Sequence, residues 1–392
     1  MRRHISMDKH TILLTGGAGF IGFRTAIALR NQGHRVKIYD NLLEQVHGRE
    51  PAILSRLPSD IEFIRGDIRD RPLLKKALSG ADYVFHFAAL TGVGQSMHDI
   101  QTYVDVNCTG TATLLDILVK ENISIRRLIL SSSRAVYGEG LYRCTNCNVA
   151  IHPTLRKIES LAQGQFDIPC PRCHHLLQPR HTPETLHPKP VSIYGWTKKH
   201  QEDLFLHASH HGIPVCILRY FNVYGPGQSL RNPYTGIITI FFNRMRNRHP
   251  IHIYEHGKPI RDFVYIDDVV RANLLALSPE IPPSSIFNVG SGQPITILEV
   301  VSLLAEISGY PCYTKDLGEY RIGDIFACFA DVTKARKTLK YAPSFDFRKG
   351  LMEFIKWAAN EPYEDLYDHA AEDLQKHGIL TRCIDQQKRT LL

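Results

Sequence analysis

Tyr194 and Lys198 stand four residues apart in Tyr194-Gly195-Trp196-Thr197-Lys198, a spacing that puts both side chains on one face of a helix. A phenol with a pKa near 10 is mostly protonated at neutral pH, and a neighbouring ammonium favours its phenolate. Lowering that pKa by about three units takes roughly 4 kcal/mol of differential stabilisation, and the product is a proton-abstracting base. On its own, such a pair is a common accident of surface helices. Upstream, Leu128–Ser131 reads as a strand that runs into Ser132-Ser133-Arg134-Ala135-Val136-Tyr137-Gly138. A second candidate centre is made of thiols: Cys144-Thr-Asn-Cys147 and Cys170-Pro-Arg-Cys173. Each pair offers two thiolates from one tight turn, and the four read as a tetrahedral, structural zinc ribbon. A redox pair or disulfides are the competing readings. His152, His174 and His175 are alternative ligands nearby, although four thiolates already close a site.

The elements that must hold these residues alternate along the chain. Ile12–Thr15 is a short apolar strand that enters Gly16-Gly17-Ala18-Gly19-Phe20-Ile21-Gly22; a helical pattern with Phe23, Ile27 and Leu29 follows, and Arg35–Asp40 is the next strand. Glycines let a backbone approach a pyrophosphate, and the helix N-terminus presents free N–H groups to it. Asp40, about twenty residues past the turn, is placed to accept hydrogen bonds from ribose hydroxyls and to repel a 2′-phosphate, which favours NAD over NADP. Residues 61–68 are expected as a third strand, Arg71–Leu78 as a short helix and Tyr83–Leu90 as a strongly apolar strand. Near-continuous apolar strands between helices imply a parallel sheet covered on both faces. On that sheet Asp67 and Ile68 would lie near the adenine, and Ala88, Ala89 and Leu90 beside the cofactor's ribose and phosphate. His86, inside the last strand, reads as a satisfied core histidine.

Composition agrees with a globular enzyme. The chain has 392 residues, 43% hydrophobic and 22% charged, which suits two to three domains at roughly 150 residues each. No apolar run approaches the roughly 18 residues that span a bilayer, and the basic start Met-Arg-Arg-His is followed by no signal-peptide core. A soluble, cytoplasmic protein without membrane contact is expected. The net charge of +8 is scattered and forms no basic stripe with interleaved aromatics, so nucleic acid is not an expected partner. Nine cysteines, an odd number, suit reduced thiols.

In this order the motifs resemble the extended short-chain dehydrogenase/reductases, specifically their nucleotide-sugar epimerase and dehydratase branch. The likeness runs from Thr11 to about Lys349 apart from one insertion, and includes Val106-Asn107 with Gly110-Thr111, Arg219-Tyr-Phe-Asn222, Arg261-Asp-Phe-Val-Tyr-Ile-Asp-Asp268, Phe287-Asn-Val-Gly290 and Arg321-Ile-Gly-Asp324. It implies a Rossmann-type doubly wound α/β fold with a smaller C-terminal substrate lobe. It implies NAD on Gly16, Gly19, Phe20, Ile21, Gly22, Asp40, Asn41, Asp67, Ile68, Ala88, Ala89, Asn107, Tyr194 and Lys198. The substrate would be a nucleotide-diphosphate sugar on Ser133, Asn222, Arg261, Arg321 and Asp324. Guanidinium forks suit the diphosphate. The catalytic set would be Ser133, Tyr194 and Lys198.

Dehydratases of this branch carry Thr-Asp-Glu where this chain has Ser133-Arg134-Ala135. Ala135 can neither abstract nor deliver a proton. What remains is oxidation at C4 with hydride return, hence epimerisation, or a net oxidation or reduction. A non-catalytic dinucleotide-binding regulator is the reading from another class, and such relatives usually lose the Tyr-x-x-x-Lys pair kept here. The cysteine insert narrows the likeness to dTDP-L-rhamnose 4-epimerase-type members, and Asn232-Pro-Tyr-Thr-Gly236 also resembles segments of deoxyhexose-nucleotide enzymes.

The expected division is a NAD-binding domain of residues 1–140, continued by 189–225 and 286–290. An inserted ribbon takes 141–188, a substrate lobe 226–285 with 291–350, and an external helical tail 351–392. The resemblance further implies a homodimer formed through helices over Asp99–Lys120 and Tyr194–His211.

Overall fold

The computed structural model describes residues 9–384; the basic start of the chain and the last eight residues of the expected tail lie outside the described residues. In chain order the strands are β1 (Thr11–Thr15), β2 (Arg35–Asp40), β3 (Glu62–Arg65), β4 (Tyr83–His86), β5 (Arg127–Ser133), β6 (Leu141–Cys144), β7 (Val149–Ile151) and β8 (Gln178–Arg180). They continue as β9 (Val215–Tyr220), β10 (Asn222–Tyr224), β11 (Ile251–Tyr254), β12 (Ile260–Tyr265), β13 (Ser285–Val289), β14 (Pro294–Thr296), β15 (Thr314–Arg321) and β16 (Leu380–Arg382).

Seven of them form one sheet in the order β3-β2-β1-β4-β5-β9-β13, every pair parallel. This is the doubly wound order, in which the chain reverses direction beside β1 and opens a crevice at the strands' carboxyl ends. Alternate residues of each strand feed two separate cores. Ile12, Leu14, Phe85 and Ile129 belong to one cluster, Leu13, Val84, Leu128 and Leu130 to the other, and all eight are fully buried. A sheet covered on both faces accounts for strands that read as unbroken apolar runs.

Two expected strands are shorter than their apolar runs. After Arg65, the Asp67 carboxylate accepts the Arg69 N–H at 2.9 Å, and this turn ends β3. After His86 the neighbour β1 is spent, so Leu90 donates its N–H to the Asn107 side chain at 2.8 Å instead. The helix expected over Asp99–Lys120 starts as an α turn at Ile100–Tyr103, widens into a π turn at Val104–Thr109 and continues as Gly110–Lys120. That turn lets the Asn107 carbonyl accept from Thr111 Oγ1 at 2.6 Å while its side chain faces away along β4.

The smaller lobe holds two three-stranded sheets, β10-β12-β14 and β11-β15-β16. Helix Ile266–Leu275, which falls in the stretch expected for the lobe, lies instead on helix Phe20–Asn31: Arg24 pairs with Asp267 at 2.5 Å, and Asn273 donates to Thr25 at 2.9 Å. The cysteine insert makes its own antiparallel sheet β7-β6-β8. Its apolar side chains, Tyr142, Leu161, Phe166 and Leu177, pack with Tyr320, Phe326 and Ala327 of the lobe. The tail is not merely external. Helix Tyr367–Lys376 leads to β16, which pairs antiparallel with β15 so that Leu380 faces Arg321.

Candidate active site

A cleft of about 810 Å³ runs from the glycine turn across the carboxyl end of the sheet into the lobe. Its cofactor end is shaped by β1 and the helix after it. At Gly16, φ is +69°, and a Cβ would stand 2.5 Å from the Ala88 nitrogen; at Gly22 a Cβ would stand 2.5 Å from the Gly16 oxygen. Any side chain would fill the cradle. Gly19 caps helix Phe20–Asn31 without a side-chain hydrogen bond, and no acid occupies the first turn, so the amides face the cleft with their partial positive charge. Asp40 ends β2 inside the cleft wall, where its carboxylate accepts from Ala18 N–H at 3.0 Å and Leu42 N–H at 2.8 Å. These features fit a dinucleotide pyrophosphate and ribose.

Of the residues expected on the cofactor, Gly16, Gly19, Phe20, Ile21, Gly22, Asp40, Asn41, Ile68, Ala88, Ala89, Tyr194 and Lys198 line the cleft. Asp67 and Asn107 do not. Asp67 is clamped by Arg69 at 2.7 Å and also accepts from Asn41; the Arg69 hydrogen bond is the main cause that holds its carboxyl down to about 2. Asn107 is fully buried behind the wall, bonded to Leu90 and to Thr197. It therefore ties the loop after β4 to the helix that carries Tyr194.

Helix Ile193–Ala208 starts at Ser192, whose hydroxyl accepts the Gly195 N–H, and projects Tyr194 and Lys198 from its first turns. Ser133 at the tip of β5 draws the Tyr194 phenol down, while its own hydroxyl accepts the Ala135 N–H at 3.1 Å. Lys198 donates to the Ser131 carbonyl at 2.8 Å. The expected electrostatics differ in one respect. Burial pushes the Tyr194 phenol up, and the groups that oppose it are Ser133 and Arg134. Lys198 is itself pushed down to about 7 by burial, so it is only partly charged at neutral pH, and it is not among the groups that lower the phenol.

Beneath this pair lies a support that the motifs themselves do not announce. Glu202 forms a buried ion pair with Arg219 at 2.7 Å and accepts from Ser132 at 2.5 Å, while Arg219 also donates to Tyr137 at 2.9 Å. The signal was present: Tyr194, Lys198 and Glu202 follow at steps of four on one helix. His86 is a satisfied core histidine, held by Thr15 at 2.8 Å and Thr111 at 2.9 Å.

The lobe end of the cleft is lined by Asn222, Arg261, Arg321 and Asp324, the expected substrate residues, together with Arg134, Tyr254, Glu255, Trp357 and Tyr367. Arg321 pairs with Asp324 at 2.8 Å, and Asn222 accepts from Arg134 at 3.2 Å. Arg261 is buried and donates to the Ile260, Ile325 and Phe326 carbonyls; burial brings it down to about 10. Trp357 and Tyr367 come from the stretch expected as an external tail.

In the insert, the four sulfurs of Cys144, Cys147, Cys170 and Cys173 lie within 4.8 Å of one another. Backbone amides support them, Cys147 N–H on the Cys144 sulfur at 3.3 Å and Arg172 N–H on the Cys170 sulfur at 3.5 Å. Four convergent thiols with such amide donors fit a tetrahedral zinc ion. Among the described residues no helix is long and apolar enough to cross a membrane.

The model of the NAD dependent epimerase/dehydratase family matches residues 12–154 and 170–290. A dTDP-L-rhamnose 4-epimerase of Burkholderia thailandensis is 36% identical, over 91% of this chain and 96% of its own length. A putative UDP-glucose 4-epimerase of Methanocaldococcus jannaschii is 30% identical, over 89% and 98%. The structure of a UDP-glucose 4-epimerase with UDP-glucose from Thermotoga maritima superposes with a TM-score of 0.72 at 30% identity, covering 89% of this chain and 98% of that one. A UDP-glucuronic acid 4-epimerase of Bacillus cereus, in complex with UDP-glucuronic acid and NAD, gives 0.71 at 30% identity over 89% and 99%. The chain belongs to the NAD dependent epimerase/dehydratase family.

Proposed function

We propose that this member of the NAD dependent epimerase/dehydratase family is a nucleotide-sugar 4-epimerase that uses NAD and acts on a dTDP- or UDP-linked hexose or deoxyhexose. The observation that carries the reading is that the glycine cradle, Tyr194 with Ser133, and the arginines 261 and 321 line one continuous cleft, with Ala135 where a dehydratase needs an acid. The named activities of the Burkholderia and Thermotoga relatives support the substrate class.

NAD, when bound, supplies an acceptor for the C4 hydride that is afterwards returned, so the reaction has no net redox change. Gly16, Gly22 and the amides after Gly19 would hold its pyrophosphate, Asp40 its adenosine ribose, and Lys198 its nicotinamide ribose. Tyr194 takes the proton of the C4 hydroxyl and gives one back after the 4-keto sugar has turned over. Ser133 orients that hydroxyl. Arg261 and Arg321 face the diphosphate with charges that suit phosphate oxygens.

The reading gives one structural zinc ion to Cys144, Cys147, Cys170 and Cys173. It also includes a homodimer through the helices near Asp99–Lys120 and Tyr194–His211. In its favour, Ile100, Val104, Val119 and Trp196 on those segments are exposed by 48%, 40%, 37% and 58%, and a four-helix contact would cover them.

The test is incubation with dTDP- and UDP-sugars, without added cofactor, in heavy water. C4 epimers should interconvert with no net change in nicotinamide absorbance, and the sugar carbons should stay unlabelled because the C4 hydrogen never meets solvent. Stoichiometric NADH would make the protein a dehydrogenase. Deuterium at C5 with loss of water would make it a dehydratase.

A further inference from the structure

We propose that Arg156, carried by the cysteine insert, is a positioning residue of the substrate site: it masks the Glu255 carboxylate so that the diphosphate of a nucleotide-sugar meets a positive cleft wall. The inference rests on the lobe end of the cleft being a nucleotide-sugar site. Arg156 lies between the two cysteine pairs, in the stretch 155–169 that the family match skips. Its side chain is only 6% exposed because it leaves the insert and enters the lobe. There it grips Glu255 with both ends of its fork, Nη1 to Oε2 at 2.5 Å and Nη2 to Oε1 at 2.9 Å. Nη2 also donates to the Asp324 carbonyl at 2.9 Å, and Nε stands 3.5 Å from Glu139.

The charges at this end make the grip necessary. Three cations, Arg134, Arg261 and Arg321, and two acids, Glu255 and Asp324, line the cleft there. Arg321 answers Asp324 within the cleft. Arg156, which is not itself a lining residue, answers Glu255 from behind the wall. Burial pushes the Glu255 carboxyl up, and Arg156 is the group that chiefly counters it. Local backbone preference does not fix the carboxylate either. Glu255 and His256 both have left-handed φ values, 52° and 57°, a conformation that two successive non-glycine residues keep only when their surroundings hold it. Without Arg156, a buried and unpaired carboxylate would face the two phosphates, and both the like charge and the desolvation oppose binding.

Through Arg156 the insert reports to the sugar end of the cleft. The experiment is calorimetric titration of dTDP and UDP into the NAD-loaded protein, with NAD content and melting temperature measured on each variant. Arg156→Ala should weaken nucleoside-diphosphate binding by about 30-fold or more, the effect of unpairing a buried charge at an interface. Its NAD content should stay at the wild-type level. Arg156→Lys should fall between the two. Arg156→Ala combined with Glu255→Gln should recover most of the lost affinity, because the charge that needed masking is gone; a purely structural tie would not be rescued in this way. If the single alanine variant does not fold, Glu255→Gln alone serves, and it should bind at least as tightly as wild type. Unchanged affinity in Arg156→Ala, an unrescued double variant, or lost binding in Glu255→Gln overturns the masking role. Failure of the wild-type protein to bind either diphosphate overturns the nucleotide-sugar reading itself.

Discussion

The NAD-binding half and the cysteine insert solve the same problem, holding a few polar groups in fixed positions, with opposite means. The first buries whole strands on both faces of a seven-stranded sheet; each fully buried large apolar side chain there contributes roughly 1.5–3 kcal/mol. The insert has three strands of three or four residues and a handful of buried apolar side chains, several of them shared with the lobe. Small modules of that kind lack the core to stand alone and rely on cross-links or metal. In the sheet domain, then, a site residue can be removed without loss of the scaffold. In the insert, the four clustered cysteines are themselves part of the scaffold.

Three measurements sharpen that contrast. Tyr194→Phe should lower turnover by about 10²- to 10⁴-fold, the range for loss of a general acid–base group, while melting temperature and NAD content hold; a variant that loses NAD or folds poorly would make Tyr194 part of the scaffold. Cys144→Ser should do the reverse. Elemental analysis should find about one zinc per chain in wild type and almost none in the variant, with a melting temperature lower by roughly 5 °C, since structural zinc contributes folding free energy directly. Metal-free wild-type protein, purified under reducing conditions, would contradict the ribbon.

The third measurement concerns Lys198. Burial brings its pKa from 10.5 to about 7, so between those values the unfolded chain binds a proton that the folded chain does not. Stability therefore rises as pH climbs from about 7 toward 10, and below 7 the folded protein carries the whole cost of a buried ammonium. Lys198→Met should abolish activity yet stabilise the protein near pH 7 by on the order of 2 kcal/mol and flatten that pH dependence. Denaturant titrations at pH 6 and pH 9 would check both. Equal stabilisation at the two values would mean that the lysine's charge is not what strains the site.

What the sequence made legible follows the same division. The glycine turn, Asp40, Tyr194 with Lys198, and the cysteine pairs are each short in sequence and tied to one local geometry, so residue type and spacing suffice to place them. Asn107 was read as a cofactor contact, yet it faces Leu90 and Thr197; periodicity places a residue on a helix but not on which side of a π turn its amide falls. Glu202 escaped notice because its partners, Arg219 and Ser132, come from two other strands. Trp357 and Tyr367 were hidden for a similar reason: the helix Phe347–Ala358 that carries Trp357 packs on the lobe core, and the path of the chain around Tyr367 leads to β16 pairing with β15, a contact between segments about sixty residues apart that no local pattern announces.

That pairing has a consequence for how the molecule comes into being. The glycine cradle is complete once the strands through β13 have been made, whereas Tyr367 and β16 are added near the end of the described chain. During synthesis from the N-terminus, a growing chain can acquire its dinucleotide cradle well before the wall beside Arg321 exists. The wall beside Arg321 is thus the last part of the cleft to be synthesised.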